Sequence, residues 1–298
     1  MITGLGTDPQ RRKTKTVQTI AFSVLTLTSL AAFFSLALIL YVMVTKGVGA
    51  LSWEFLTQLP RKGMTEGGIY PMLLGSFYLT AGAIVSALPF GVASAIWLSE
   101  YAAGGLWVRI VRIGVNTLAG VPSIVFGLLG LAFFVNVLGL GASLLSGAFT
   151  LGVLILPLLI RASEEALRTV PNEFREGALA LGATRWHAVR TVVLPTAVPA
   201  ILTGAVLGIG RAIGETAPIL FTAAAIYKTR LPGTLYETLT SRTMALPTHI
   251  FYMATENPRG WEAKDLQFGA ALVLLALVML MNLGAVTWRA RVRRRKQW

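Results

Sequence analysis

Two oppositely charged side chains interrupt the apolar stretch of residues 197–227. Arg211 and Glu215 are four positions apart, which on one helix places both side chains on the same face. A guanidinium presents several N–H donors in one plane and therefore suits an oxyanion better than an ammonium does. An ionised group inside a span is costly, and it marks either a transport pathway or a buried pair. The pattern predicts an anion pathway, with a structural ion pair that holds helices together as the alternative.

Two hydroxyl residues complete the predicted substrate pathway. Thr216 directly follows Glu215, and Ser123 follows the sequence Ala119-Gly-Val-Pro in another apolar stretch. A glycine and a proline within a span predict a kinked or broken helix, which is tolerated where the backbone lines a cavity or is covered by protein. Ordinary helix packing is the alternative explanation for this motif.

The residue types that most enzyme sites need are scarce. The chain has no cysteine and only two histidines, His187 and His249, which are far apart in sequence. A metal site has almost nothing to be built from, and no paired carboxylates or Ser-His-Asp set occur at a suggestive spacing. The dipeptide Gly-Lys is absent, which excludes a P-loop for ATP. We therefore predict a chain that is not an enzyme and that binds no metal and no cofactor.

A charged segment between two apolar ones carries a second informative spacing. Glu176 is followed six positions later by Gly182, and a Leu-Pro pair begins twelve positions after that glycine. This spacing resembles the EAA loop of ABC-importer permeases, which in that family is the socket for a cytoplasmic ATPase. Gly177 and Val192 stand where that loop usually has alanine and isoleucine. The resemblance implies an ATPase-coupling loop that includes Glu176, Gly177, Ala178, Gly182, Ala183, Leu194 and Pro195.

The same segment has local signals for helix. We expect helix from Glu164 to Arg190, with Pro171 in the first turn of a second helix. Gly182 would allow a bend or a close approach of another backbone, and Pro195 would end the segment and begin the next span. The alternative is an amphipathic helix that lies on the membrane surface.

The composition makes lipid the solvent for this chain. Hydrophobic residues make up 55% and charged residues 13% of the 298 residues, and the mean hydropathy is +0.69. A spanning helix needs about 20 apolar residues, whereas a signal-peptide core has only about 7–15. We predict an all-α, polytopic membrane protein, with a tight Gly-rich turn between its third and fourth spans. The six predicted spans fall at about 17–44, 69–98, 113–137, 143–160, 197–227 and 266–288.

Basic residues are divided unequally between the two predicted sides of the membrane. With the N-terminus inside, 17 Lys and Arg are cytoplasmic, eight are external, and Arg211 lies within a span. This bias indicates an N-in, C-in orientation, and it explains the net charge of +13 without nucleic acid. We predict a basic cytoplasmic N-terminus (1–16), a transmembrane permease domain (17–288) with the coupling loop at about 161–196, and a basic cytoplasmic tail (289–298) that contacts anionic lipid.

Five motifs together are similar to those of PstA-type permeases, subunits of the bacterial phosphate ABC importer. They are Glu66-Gly-Gly-Ile69, Ala119-Gly-Val-Pro-Ser-Ile-Val-Phe-Gly127, Ile160-Arg-Ala-Ser-Glu-Glu-Ala166, the EAA-like spacing, and Gly210-Arg-Ala-Ile-Gly-Glu-Thr-Ala-Pro218. The resemblance runs from about residue 60 to the C-terminus. It implies a MetI-like, type I importer fold in the bacterial inner membrane, and import of inorganic phosphate by alternating access.

The resemblance also implies partners. They are a second, PstC-type permease subunit in a heterodimer, two copies of a PstB-type ATPase that binds ATP and Mg²⁺, and an external phosphate-binding protein. Two other functions stay open at this point. One is an ABC-importer permease for another oxyanion, such as sulfate or molybdate. The other is an ion-coupled secondary transporter in which Glu215 carries a proton.

Overall fold

Helices dominate the computed structural model, which describes residues 9–102, 104–225, 227, 230–258, 260 and 263–294. Within these residues the strands are limited to one antiparallel hairpin, in which β1 (Pro60–Arg61) pairs with β2 (Glu66–Gly67). The hairpin turn contains Gly63 with a φ of 69°, a conformation that glycine adopts without strain. The all-α fold class predicted from composition is confirmed.

Five helical stretches in the described part of the chain are long and apolar enough to cross a membrane. A sixth span results when the two halves of one bent helix pair are counted together, and the number then agrees with the six predicted. The five unbroken stretches are Val17–Ala50, Tyr70–Tyr101, Leu144–Arg168, Arg185–Ile213 and Lys264–Val292.

Three long helices form the centre of the bundle. α3 (Tyr70–Ile96) makes its most extensive contact with α6 (Leu144–Arg168), and α9 (Leu194–Ile213) packs against both. Their shared core includes Leu79 and Ile155, which are almost completely buried. Two outer helices, α1 (Pro9–Gly47) and α13 (Lys264–Arg294), pack against each other. The most apolar part of α1 is exposed, as expected of a helix whose solvent is lipid.

The predicted third span is sharply bent, unlike the other five. It consists of α4 (Leu106–Leu118) and α5 (Ser123–Gly130), which meet at an angle of 102°; α5 continues as a π-helical turn to Val137. The break falls at the predicted Gly-Val-Pro motif, because Pro122 has no N–H to donate and disfavours helix at the residue before it. The prediction of a break is confirmed, but α4 begins in the segment that was predicted to be a cytoplasmic loop.

Short helices cover the side of the bundle on which α3 begins. They are α2 (Trp53–Thr57), α11 (Leu235–Thr240) and α12 (Leu246–Thr255), whereas α10 (Ala217–Thr222) packs inside the bundle against α5 and α6. A second core between α2, α12, α13 and the start of α3 includes Phe55, Leu246 and four methionine side chains. The turn between the third and fourth spans contains two left-handed glycines, Gly139 and Gly141, which confirms the predicted tight hairpin.

The predicted coupling segment is helical but has two interruptions. α6 continues to Arg168, α7 covers Asn172–Ala180, and α8 begins at Arg185 (Arg185–Ala188). A second helix begins after Pro171 as predicted, with the proline at its N-cap, but helix does not continue to Arg190 because Gly182 stops α7.

The start of the fifth span was predicted wrongly. Helix runs from Arg185 to Ile213 without a break, so Pro195 lies inside a helix and does not begin one. A π-helical turn at Val189–Val193 precedes the proline and widens the helix where the proline cannot donate a hydrogen bond. The end differs too, because residues 214–216 separate α9 from α10 within the stretch predicted to be one span.

Candidate functional site

The charged pair of the predicted pathway lies at the interruption between α9 and α10. Arg211 is in the last turn of α9, and Glu215 follows the end of that helix at Ile213. The two residues therefore do not share one helix, as the spacing had predicted, yet their side chains meet. Arg211 Nε is 3.6 Å from Glu215 Oε1, and the two side chains are 34% and 17% exposed. The distance is longer than a good hydrogen bond, so donors of the guanidinium remain available.

Glycines fix the depth of this pair in the bundle. Gly204 of α9 faces Ala162 of α6, and Gly208 faces Leu159 one turn further along. The two helices are thus antiparallel and in close contact, as small residues allow in membranes. Arg211 follows Gly208 by three residues and lies level with the middle of α6. The pair therefore lies at about mid-depth along the helical bundle.

The two predicted hydroxyl residues come to the same level as the charged pair. Gly127 of α5 packs against Pro218 of α10, and Gly130, one turn later, packs against Thr222. Since these helices run parallel, their first turns are also neighbours. Ser123 begins α5 and Thr216 directly precedes α10. The structure therefore places the start of α5, with Ser123, beside the start of α10, which directly follows the Arg211–Glu215 pair.

The predicted coupling residues divide into two groups. Four of them, Gly177, Ala178, Gly182 and Ala183, line an open groove of about 780 Å³ between α7 and the start of the α8–α9 helix. The other three lie outside this groove: Glu176 is exposed on α7, while Leu194 and Pro195 belong to α9. Exposed Leu181, at 91%, stands at the edge of the groove with Phe174.

The backbone conformation at Gly182 favours glycine. Its φ is +83°, and its N–H donates to the carbonyl of Leu179 at 2.9 Å. The N–H of Ala183 donates to the carbonyl of Ala178 at 3.1 Å. These two bonds form the Schellman motif that closes a helix, and the left-handed residue in it is usually glycine. A Cβ at this position would meet no atom within 4 Å in the described chain, so glycine serves the bend and not a close approach within this subunit.

Comparison with known proteins identifies the family. The sequence profile described as "Binding-protein-dependent transport system inner membrane component" matches residues 87–298, more than two thirds of the chain. The chain belongs to this family. It is an inner-membrane permease, in agreement with the predicted location.

Relatives and solved structures are consistent with that assignment. The permease is 35% identical to the probable ABC transporter permease protein YqgI of Bacillus subtilis (strain 168), over 82% of its own length and 85% of that protein. It is also 35% identical to the phosphate transport system permease protein PstA of Mycobacterium leprae (strain TN), over 89% and 86%. The MetNI methionine ABC transporter, in an inward-facing form, matches 75% of the permease and 97% of the solved chain, with 20% identity and a TM-score of 0.57. The MetI-like fold is thereby confirmed.

Sequence reasoning missed several polar residues of the permease. Asn282 of α13 lies against Gly210, next to Arg211, and its buried Oδ1 has no hydrogen-bond partner among the described residues. Arg289, which was predicted to belong to the tail, is part of α13 and donates to Thr203 Oγ1 of α9 at 2.9 Å. No periodic signal connects these positions, because they lie on different helices far apart in sequence.

Proposed function

We propose that the permease is the PstA-type subunit of an ATP-driven importer of inorganic phosphate. The observation that carries the proposal is the guanidinium of Arg211 beside two helix interruptions, at mid-depth in the fold of an importer permease whose relatives include phosphate transport permeases. Interrupted helices at mid-depth are typical of substrate sites in transporters, because their backbone groups and side chains can face a cavity.

The pathway residues match the chemistry of phosphate. Arg211 offers planar donors to anionic oxygens, and the hydroxyls of Ser123 and Thr216 can each donate or accept a hydrogen bond. Glu215 balances the arginine when no anion is present. It can also accept a hydrogen bond from a phosphate that carries a proton. Sulfate has no such proton to donate near neutral pH. The arrangement therefore favours an oxyanion that carries a proton.

The coupling groove matches the needs of a mechanical connection. Its rim exposes the apolar side chains of Phe174 and Leu181 to water, which is unfavourable. A bound partner protein would bury this apolar surface. We propose that a cytoplasmic ATPase docks here and moves α7, so that the bundle changes between inward-facing and outward-facing forms.

The proposed assembly contains chains besides this one. A PstC-type permease would complete the heterodimer, two PstB-type ATPases would bind ATP and Mg²⁺, and an external binding protein would deliver phosphate. In this scheme the permease is not an enzyme and binds no cofactor, because ATP hydrolysis takes place on the ATPase chains. Membrane lipid covers its outer helices, and nucleic acid has no part in its function.

Transport by the purified complex tests the proposal. The permease, co-purified with its partner chains and placed in vesicles with the binding protein, should take up radiolabelled phosphate only when ATP is supplied on the ATPase side. Excess unlabelled phosphate should compete, whereas sulfate and molybdate should not. Uptake of sulfate or molybdate with phosphate excluded would assign the permease to another oxyanion. Uptake that needs a proton gradient and no ATP would assign it to secondary transport.

A further inference from the structure

One guanidinium connects α7 with the ends of two spanning helices. Arg175 donates from Nη2 and Nε to the carboxylate of Glu100, at 2.7 to 3.2 Å. The same side chain donates to the carbonyl oxygens of Val170 at 2.6 Å and Leu167 at 2.8 Å. Glu100 belongs to the π-helical turn Trp97–Tyr101 that ends α3, and Leu167 belongs to the last turn of α6.

The environment makes this connection strong. The side chains of Arg175 and Glu100 are only 19% and 10% exposed, so both charges are largely removed from water. A pair at such burial is costly to break, because the remaining charge has no partner. The guanidinium also adds a charged donor to the carbonyl oxygen of Leu167, whose backbone hydrogen bond from the Val170 N–H is long at 3.3 Å.

The other main contacts of α7 are with the helix that leads into α9. Helix α7 packs mainly against α8 and the π-helical turn Val189–Val193, which lead into α9. Among the described residues, Arg175 makes every hydrogen bond between α7 and the π-helical turn that ends α3. Helix α7 therefore joins α6 and α9 through the chain itself. It reaches the end of α3 indirectly through the apolar cluster of Val189 and Val193, and directly by the hydrogen bonds of this side chain.

We propose that Arg175 is a positioning residue that makes α7, α3 and α6 move as one body when the ATPase moves α7. This inference rests on the proposed function, since it requires an ATPase bound at α7. Coupling between distant sites is carried by packed elements and hydrogen-bonded side chains that hold their mutual geometry. Without the guanidinium, α7 could follow the ATPase while α3 stayed behind, and ATP would be hydrolysed without moving phosphate.

The geometry requires arginine and not merely a positive charge. The guanidinium serves the carboxylate and two carbonyl oxygens at once, from three nitrogen atoms held in one plane. A lysine has one nitrogen and cannot occupy all of these positions. Arg175→Lys should therefore keep the ion pair with Glu100 and lose the hydrogen bonds to the carbonyl oxygens of Val170 and Leu167.

The first test compares phosphate moved per ATP hydrolysed in the complete complex. Arg175→Lys and the milder Glu100→Gln should lower this ratio by about 2- to 30-fold, with ATPase chains still co-purifying in normal amount. Arg168→Lys is the matched control, because that arginine pairs with Glu164 one turn away and is half-exposed; its ratio should be unchanged. An unchanged ratio in both Arg175→Lys and Glu100→Gln would overturn the inference.

A covalent tether separates transmission from simple stability. The natural chain has no cysteine, so Glu100→Cys with Arg175→Cys can be bridged by a short bifunctional thiol reagent in a complex whose other chains are cysteine-free. The bridged complex should regain phosphate transport per ATP, and the unbridged one should not. Failure of the bridge to restore any coupling would overturn the inference. If the wild-type complex neither hydrolyses ATP nor moves phosphate, the proposed function fails instead.

Discussion

At the residue scale, Arg211 is the group whose chemistry most directly concerns the cargo. Its side chain is 34% exposed and only loosely paired with Glu215, so it can exchange the carboxylate for an anion in transit. Charge-assisted hydrogen bonds contribute about 1.5–3 kcal/mol each, and the loss of one therefore lowers flux about 10- to 150-fold. Arg211→Ala should reduce phosphate uptake by at least this factor while the complex still assembles. Arg211→Lys should restore only part of it. Loss of assembly in Arg211→Ala, repaired by Arg211→Met, would show a structural pair.

Gly182 tests the bend of the coupling segment at the same scale. A side chain at a φ of +83° costs about 1–2 kcal/mol, which is about a 5- to 30-fold change in an equilibrium. Gly182→Ala should weaken ATPase binding to the permease by about that factor, measured by titration in detergent, and Gly182→Asn should weaken it less because asparagine tolerates this conformation. Gly284→Ala is the control, since Gly284 lies in helix α13, away from the groove, with open space around it. Equal effects at both glycines would contradict the explanation by backbone conformation.

At the element scale, the contact between α6 and α9 depends on glycine. A Cβ on Gly204 would lie 2.5 Å from Cβ of Ala162, closer than packed carbon atoms allow. Overpacking of this kind costs about 1–3 kcal/mol. Gly204→Leu should therefore lower the apparent melting temperature of the purified complex by several degrees and reduce its yield. Gly284→Leu, at a position with open space on α13, should change neither. An unaltered melting temperature for Gly204→Leu would mean that these helices separate easily.

The sequence alone predicts the spanning helices well and their ends and contacts poorly. Hydropathy finds the spans because an apolar stretch of sufficient length has few alternatives in lipid, and the second and sixth spans agree closely with prediction. Hydropathy does not mark where helices end, so α6 and the α8–α9 helix extend into polar sequence that was assigned to a loop. The pairing of Glu100 with Arg175 joins residues 75 positions apart, and no local spacing indicates it. Contacts of this kind depend on how whole helices pack.

At the scale of the whole molecule, one buried histidine connects stability with pH. His249 lies in α12, outside the spanning helices, and burial lowers its pKa from 6.5 to about 4. The folded chain keeps this group neutral, whereas the unfolded chain protonates it below its ordinary pKa. Stability is therefore complete above pH 6.5 and is lost as pH falls towards 4, by about 3 kcal/mol at about 1.4 kcal/mol per unit. The melting temperature should fall over this interval, and His249→Leu should flatten the decrease. An equally steep decrease in His249→Leu would assign it to other groups.

The orientation of the whole molecule rests on the distribution of its basic residues, and it decides where both proposed partners bind. With the N-terminus inside, the groove beside Leu181 faces the cytoplasm and Leu235 faces outward; these side chains are 91% and 76% exposed. Because the chain has no cysteine, Leu181→Cys and Leu235→Cys each provide a unique label site. A membrane-impermeant maleimide should label Leu235→Cys in intact right-side-out vesicles, and Leu181→Cys only in inverted vesicles washed free of ATPase. Rebinding the ATPase should then protect Leu181→Cys and leave Leu235→Cys reactive. The reverse labelling pattern would place the coupling segment away from ATP, and both the orientation and the docking proposal would fail together.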